Sequence, residues 1–444
     1  MNSRSKIVLF DIACCFCLTA CTQASEWDTC MRDGTKAYEQ GHYLDAEKLF
    51  NAAQREANKF GPQDIRLAST MNMLAELYNT EGKYTEAEPL YKRSLEIREK
   101  VLGPDHQDVA NSLNNLAELY NTQGKYAEAE PMFERSLKIK EKALGPGHPD
   151  VGTILNNQAS LYEVRGKYAE AESLYKRSLD IKEKAFGPDH PKIAKSLNNL
   201  AELYKTQGKY TEAEPLYKRS LAIREKSLGL GHPDVAQSLN NRAELYSTQG
   251  KFTEADPLYK SSLAIREKSL GLGHLDVAQS LNNLAALYIY QGKYKEAEPL
   301  LKRSLVIAEK ALGPEHQHIA TCLNNLAHLY KTQGKYVQAE QLHKRSLAIA
   351  EKALGPNHID VAGSLNNLAL LYTAESKYKE AEPLFKRSLA ILEENLGPDH
   401  PNVATALENY AVLLDKTNRT SDAKRLKARA AAIGEKNRSA TDAK

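Results

Sequence analysis

Surplus charge of either sign is nearly absent from this chain. Lys and Arg total 60 and Asp and Glu 57, leaving +3 over 444 residues. A nucleic-acid binder needs a basic face against the phosphates, so that class of partner is excluded. Cysteine is scarce beyond the first 21 residues, where only Cys30 and Cys322 occur. The repeat described below puts these two about seven units apart, tens of ångströms at roughly 10 Å per helix layer. A disulfide tolerates a Cα separation of only about 7 Å, so none braces the body. A glycine-rich phosphate loop, a Cys-x-x-Cys pair and a serine in a nucleophile elbow are all missing. The carboxylates follow a period rather than converging. The expectation is a protein without catalysis, cofactor or metal. Long apolar runs are missing too, except for the mostly apolar Ile7–Ala20.

What the chain has is repetition. Asn-Asn begins at 114, 156, 198, 240, 282, 324 and 366, always 42 residues apart. Gly-Lys-Tyr or Gly-Lys-Phe follows at 82, 124, 166, 208, 250, 292 and 334. The length alone suggests two or three globular domains. A fixed period instead means a solenoid, which grows by stacking units.

One unit, from Gly103 to Gly145, reads as two helices. Gly103-Pro104 ends the preceding helix, glycine taking the left-handed conformation and proline blocking continuation. Asp105 or Asp108 is positioned to cap the next helix. Leu113, Leu116, Ala117 and Tyr120 fall at i, i+3, i+4 and i+7, one apolar stripe. Gly124 closes this helix and a second begins near Tyr126, with the stripe Ala129, Met132, Phe133, Ser136, Leu137 and Ile139. Pro131 sits near its first turn, where backbone N–H groups lack helical partners anyway. The pair is expected to span about 15 and 17 residues. Alanines from Ala87 to Ala381 keep the helices close, and periodic tyrosines fill the gaps between layers.

The fold class is therefore all-α, a superhelical solenoid of about ten antiparallel helix pairs. Residues 26–60 form a divergent N-terminal capping pair, and 61–417 the tandem array. Residues 418–433 form a charged C-terminal capping helix, and 434–444 a disordered tail.

Leu-x-x-Leu-Ala-x-Leu-Tyr, Gly-x-Tyr-x-x-Ala and an aromatic four residues further on resemble the tetratricopeptide repeat. The 42-residue wording Leu-Gly-Pro-Asp-His-Pro…Leu-Asn-Asn-Leu-Ala…Gly-Lys-Tyr resembles the kinesin light chain subclass. That resemblance implies a right-handed superhelix whose first helices line a concave groove that binds peptides or protein segments. Kinesin light chains carry a heptad coiled coil ahead of the repeats; here only a signal-like segment precedes them, so a motor role is not implied. Residues 1–21 begin with Arg4 and Lys6 and end in Leu18-Thr19-Ala20-Cys21, which resembles a bacterial lipobox. Asp11 interrupts the apolar segment. The resemblance implies lipidation of Cys21 and residence in the cell envelope, the only membrane contact expected. Cleavage after Ala24, and a cytoplasmic location with the segment retained, are the alternatives.

Candidate site residues follow by elimination from the apolar stripe. With it turned inward, Asn111, Asn114, Asn115, Glu118 and Asn121 point away from the pair's core, and in the family they face the groove. The asparagines make two lines. One is Asn72, Asn114, Asn156, Asn198, Asn240, Asn282, Asn324 and Asn366. The other is Asn115, Asn157, Asn199, Asn241, Asn283, Asn325, Asn367 and Asn409. Asparagine mid-helix costs about half a kcal/mol against alanine, so its recurrence asks for a reason. Either the amides bond the backbone of an extended ligand, or one of each pair fixes the stacking of neighbouring repeats. Selectivity falls to variable positions: Glu76, Glu118, Ser160, Glu202, Glu244, Ala286, His328, Leu370 and Val412 on one row, Asn79, Asn121, Glu163, Lys205, Ser247, Ile289, Lys331, Thr373 and Asp415 on the next. The groove is acidic and polar in its first half, and more apolar or basic in its second. Eight periodic histidines from His106 to His400 stand a whole helix pair apart, too far to share a metal ion, and read as loop or cap groups. The expected function is a scaffold holding peptide or extended protein segments. The alternatives are a structural component of an envelope assembly, acting through its convex face or ends, and a cytoplasmic adaptor.

Overall fold

The computed structural model describes residues 25–442, with side chains through residue 437. The export segment 1–21, with Cys21, and the cleavage point at Ala24 lie outside the described residues. Among the described residues there are twenty α-helices and no strand. They form ten hairpins. The first five are α1 (Glu26–Glu39) with α2 (Tyr43–Asn58), α3 (Ile65–Thr80) with α4 (Tyr84–Leu102), α5 (Gln107–Thr122) with α6 (Tyr126–Leu144), α7 (Pro149–Val164) with α8 (Tyr168–Phe186), and α9 (Pro191–Thr206) with α10 (Tyr210–Leu228). The second five are α11 (Pro233–Thr248) with α12 (Phe252–Leu270), α13 (Leu275–Tyr290) with α14 (Tyr294–Leu312), α15 (Gln317–Thr332) with α16 (Tyr336–Leu354), α17 (Ile359–Ala374) with α18 (Tyr378–Leu396), and α19 (Pro401–Lys416) with α20 (Thr420–Asp442). Each helix packs on its neighbours in sequence, as a solenoid requires. Helices α5 and α6 have 16 and 19 residues, slightly longer than the periodicity suggests.

The apolar stripes make the core. Leu116, Ala117, Ala129 and Phe133 are essentially inaccessible, and burying a side chain of leucine or phenylalanine size contributes roughly 1.5–3 kcal/mol. A polar staple runs through the same layer. Ser136 is fully buried and its hydroxyl donates to the Ala110 carbonyl at 2.7 Å. Ser94, Ser220, Ser304 and Ser388 make the same bond to the carbonyl 26 residues earlier. The serine in the apolar stripe is thus a fastener between the two helices of a hairpin. Successive hairpins are tied outside the core. Glu88 accepts from Lys92 and Lys125 at 2.6 and 2.8 Å, and from the Tyr120 hydroxyl at 3.2 Å. Its burial favours the neutral acid, but the two lysines outweigh that and hold the carboxyl well below its ordinary range.

Two local expectations are corrected. The cap of α5 is His106 rather than Asp105 or Asp108: its Nδ1 accepts the Asp108 backbone N–H at 3.1 Å. Asp108 already lies inside the first turn, so its own N–H is the one needing a partner. His148, His190, His232, His274, His316, His358 and His400 cap their helices in the same way. Gly103 has a positive φ of 89°, but its ψ of 157° is extended rather than left-handed helical.

The histidine caps also close the coil on itself. His358 Nε2 lies 3.0 Å from the Thr122 carbonyl and His400 Nε2 3.1 Å from the Val164 carbonyl, each 236 residues away in sequence. That separation is between five and six 42-residue repeats, so successive turns of the superhelix touch. Nδ1 accepts from the backbone, so the ring proton sits on Nε2 and donates across the turn; one neutral imidazole serves both contacts. Tyr84 and Tyr126 are 4% and 5% exposed, whereas Tyr294, Tyr336 and Tyr378 in the same register are half-buried; the next turn, with Gln317 and Asp360, passes over the first two.

Residues 434–442, expected as a disordered tail, instead continue α20. The Asn437 amide donates to the Asp399 carbonyl at 3.0 Å, and Lys436 pairs with the Asp399 carboxylate. Helix α20 also reaches α8 on the preceding turn. At the other end, Ser25 and Asp28 form a reciprocal capping box on α1, and Trp27 donates to Thr70 at 2.9 Å. Among the described residues no helix is long and apolar enough to cross a membrane.

Candidate binding groove

The first helices turn one face away from the hairpin cores. On α5 that face carries Asn111, Glu118 and Thr122, all exposed, with Asn115 half-buried beside them. Asn114 is different: it is 9% exposed and sits between neighbouring first helices. The two asparagine lines therefore divide. Asn114, Asn156, Asn198, Asn240 and Asn282 of the first line are buried, while Asn72, Asn324 and Asn366 are half-buried. The second line, Asn115, Asn157, Asn199, Asn241, Asn283, Asn325, Asn367 and Asn409, lies half-buried along the inner face.

The lines are bonded to each other across repeats. Asn115 Nδ2 donates to Asn72 Oδ1 at 3.1 Å, and Asn157 to Asn114 at 3.1 Å. Asn199 donates to Asn156 at 3.0 Å, Asn283 to Asn240 at 2.9 Å, and Asn409 to Asn366 at 3.1 Å. Each bridge reaches one repeat back. It uses one N–H of the second-line amide, whose other N–H and carbonyl oxygen stay on the inner face at Asn199, Asn283 and Asn409; Asn157 gives its other N–H to Glu118, and the Asn115 oxygen accepts from Asn114 at 3.4 Å. The first line is a spine between repeats and is not available to a ligand as a row. Three bridges are absent. Asn241 Oδ1 accepts from Gln237 at 2.6 Å. Asn282 turns its amide to Cys322 Sγ at 3.2 Å, and Asn324 Oδ1 accepts from His343 Nδ1 at 2.9 Å.

The acidic half of the inner face holds two groups, one around Lys205 and one of Glu76 with Glu118. Lys205, 8% exposed at its side chain, lies 2.6 Å from both Glu202 and Glu244. The Tyr217 hydroxyl donates to Glu202 at 2.7 Å and Tyr175 to Glu163 at 2.9 Å. Burial is the main cause lifting Glu163 to about 7; the Tyr175 bond opposes it and the Glu202 charge adds to it. Glu118 is also raised by burial, against the amide bonds from Asn114 and Asn157, and Glu76 is raised by burial and by the charge on Glu118. Although Glu118 touches water, protein surrounds it within the coil. In the other half, Ala286, His328 and Leu370 replace the glutamates. Lys331 is half-buried and Asn121 likewise. A cavity of about 510 Å³ opens between α15, α17 and α19, lined by Gln317, Asn325, Gly363, Asn367 and Asn402 among others.

Tyr175, Tyr217 and His343, buried rings whose polar ends reach Glu163, Glu202 and Asn324, and Gly363, which lines the cavity, were passed over by the periodic reading. The first three stand on the second-helix stripe, in register with Phe133, and read as core. The available signal was a hydroxyl or imidazole recurring where phenylalanine suffices.

These features define an all-helical repeat solenoid with a concave inner face. The tetratricopeptide repeat model matches residues 66–142, 150–226, 193–268, 276–352, 324–394 and 360–436. The chain belongs to the tetratricopeptide repeat family. Among solved structures it is similar to nearly identical TPR-like repeats assigned to a kinesin light chain of Podosopora anserina, with 31% identity over 46% of this chain and 97% of that one and a TM-score of 0.40. BtubC (BKLC) from P. vanneervenii matches at 24% identity over 51% of this chain and 91% of that one, TM-score 0.43. A Rap protein solved in complex with Competence and Sporulation Factor is 15% identical, covering 93% of this chain and 99% of that one at a TM-score of 0.55; that likeness is one of fold. No protein of curated function matches the chain.

Proposed function

We propose that this chain is a non-enzymatic interaction scaffold that holds an extended polypeptide segment along the inner faces of α5 to α19. One observation carries the reading: five second-line asparagines spend an N–H on the neighbouring repeat, and four of them, Asn115, Asn199, Asn283 and Asn409, keep the other N–H and an oxygen lone pair on the inner face. A row of such amides suits a backbone, whose N–H and C=O groups recur whatever the side chains. The family supports a protein partner, as does the Rap protein of like fold, solved bound to Competence and Sporulation Factor. We read the 42-residue wording as the kinesin light chain type of the repeat. We also read residues 1–21 as an export signal with Cys21 as the lipidated first residue, placing the groove in a bacterial cell envelope. Mass spectrometry of the native N-terminus tests that location: an acylated Cys21 supports it, and an intact Met1 rules it out.

The groove is tested by binding. A bead library of randomised decapeptides is screened against the full chain and against a variant with Glu118→Gln, Glu202→Gln, Glu244→Gln and Lys205→Met. The lysine is changed as well because removing both carboxylates would leave a buried cation unpaired, a loss of about 3–5 kcal/mol. The reading expects wild-type beads to favour basic residues, and the variant to lose that preference. An unchanged profile argues against the groove.

A further inference from the structure

The seam between successive turns has two edges, and the chain carries each of them further than it uses it. One edge is the row of Gly-Lys-Tyr turns. The other is the row of histidine-capped loops between hairpins. Within the chain His274, His316, His358 and His400 lie against Gly41, Gly82, Gly124 and Gly166, where an added Cβ would meet the ring at 2.8 to 3.4 Å. Gln317 and Asp360 face Tyr84 across the seam, and Asp360 faces Tyr126. Leu354 and Leu396 pack against the cluster that holds these tyrosines. Beyond Gly166 the seam stops. Among the described residues nothing lies within 4 Å of a Cβ added at Gly208, Gly250, Gly292 or Gly334.

The unused parts repeat the used ones. Gly292-Lys293-Tyr294 and Gly334-Lys335-Tyr336 match Gly82-Lys83-Tyr84 and Gly124-Lys125-Tyr126. Tyr294 and Tyr336 are half-buried where Tyr84 and Tyr126 are buried. Tyr290 adds an exposed ring to this edge, stacked on Phe252. On the histidine edge, Leu102-Gly103-Pro104-Asp105-His106-Gln107 matches Leu312-Gly313-Pro314-Glu315-His316-Gln317 with only the acid changed. Leu144, His148 and Asp150 match Leu354, His358 and Asp360. The Nδ1 atoms of His106 and His148 accept the Asp108 and Asp150 backbone N–H at 3.1 and 3.2 Å, so the ring proton sits on Nε2. Both rings are half-buried, where His358 and His400 are buried. Each open edge is the counterpart of the other.

We propose that this chain stacks on further copies of itself along the superhelix axis. The histidine edge of one copy's first turn closes the seam on the Gly-Lys-Tyr edge of another copy's second turn. The repeat fixes the register. Within the chain a loop lies on the turn six hairpins earlier, as the His316 cap of α15 lies on the turn between α3 and α4. With the second copy's first hairpin in the eleventh place, its His106 falls on Gly292 and its His148 on Gly334. Their Nε2 groups then donate to the Tyr290 and Thr332 carbonyls, which end their helices and lack a helical donor. Ser376 and Asn418, each with a φ of 62°, take the next two turn positions. The 3.4 Å between a Cβ at Gly124 and the His358 ring leaves room for such a residue. A second copy is indicated, rather than another partner, because the chain already builds this seam with itself. The two edges differ, so the contact is head to tail; it does not close on two copies and continues as a filament. It uses the rims of the coil and is independent of what the inner face holds.

Sedimentation equilibrium of the full chain, from about 1 to about 300 µM, tests the stacking by mass action. Two variants each spoil one edge. His106→Asn/His148→Asn keeps the helix caps, because asparagine is a preferred cap and Asp64 caps α3 in the same register; its short side chain does not cross the seam. Gly292→Asn/Gly334→Asn puts an amide where the ring would lie, in a backbone conformation that Asn418 already adopts. Circular dichroism checks that both variants fold. The mean mass of the wild type should climb past two chains with concentration and reach no plateau. Each variant alone should associate about tenfold more weakly. Mixed in equal amounts, the two should form a heterodimer that stops at two chains, since one intact histidine edge and one intact glycine edge remain. A wild type that stays monomeric throughout, a mass that levels off at two chains, or association unchanged in both variants overturns the proposal. So does a mixture that associates no more than its parts.

Discussion

His343→Phe should make the protein less sensitive to acid. The imidazole is 2% exposed, in the register that Phe133 and Phe385 fill elsewhere, so phenylalanine fits the position; the bond to Asn324 at 2.9 Å is lost at every pH and does not enter the difference between two pH values. Burial, with the charges of Lys331 and His328 behind it, drives the His343 pKa down to about 4. In the unfolded chain it returns to about 6.5. Above pH 6.5 the ring is neutral in both states and has no effect on stability. As pH falls from 6.5 toward 4, the unfolded chain takes up a proton that the folded chain refuses, so stability falls; below about 4 the loss is complete. At about 1.36 kcal/mol per pH unit the full loss is roughly 3 kcal/mol, most of it already present at pH 4.5. His316, His318, His328 and His400 are lowered too, but they remain in both proteins and largely cancel in the difference. Urea unfolding of wild type and variant at pH 7.5 and 4.5, followed by circular dichroism, gives that difference directly. The wild type should lose about 2–3 kcal/mol more than His343→Phe between the two pH values. Parallel losses, or a His343 resonance titrating near 6.5, would refute the reasoning.

Ser220→Ala removes a buried hydroxyl that donates to the Ala194 carbonyl at 2.9 Å, and should destabilise by about 1 kcal/mol in the same unfolding assay. Asn199→Ala leaves the buried Asn156 oxygen without its donor, a loss of about 1–3 kcal/mol that should show as earlier amide exchange in α7 and α9. Gly363→Ala should stabilise by about 1 kcal/mol, because an added Cβ meets nothing within 4 Å and the residue is helical; a lower melting temperature would contradict it.

The hairpins were legible because each unit states its own structure. Leu113, Leu116, Ala117 and Tyr120 repeat a helical stripe, and Gly124 with Lys125 and Tyr126 marks the turn, so period and pattern agree. The contacts between turns were not legible. Nothing in the spacing of His358 and Thr122, 236 residues apart, announces that they meet, since that depends on superhelical curvature summed over several repeats. At the caps the periodic histidines were legible as loop or cap groups, and their Nδ1 atoms do cap the first helices; only the aspartates offered beside them misled. The tail was misread because its polar composition hid the Asn437 and Lys436 bonds to the Asp399 loop. On the inner face, elimination from the apolar stripe points to the variable rows, which include Glu202, Lys205, Glu244, His328 and Lys331. Which asparagine of each pair is buried was left open, because both fall near the edge of the stripe and only helix-to-helix packing decides it. Tyr217 and His343 were missed since an aromatic in a core register reads as packing.

The most direct test places the photoreactive residue benzoylphenylalanine at Ala286, on the inner face of α13, or at Val306, 63% exposed on the second helix α14. Each full-length protein is irradiated with a peptide recovered from the library. If an extended segment lies along the inner faces, the peptide is joined covalently at 286 and not at 306. Joining at 306 alone, with 286 unreactive, would contradict the account.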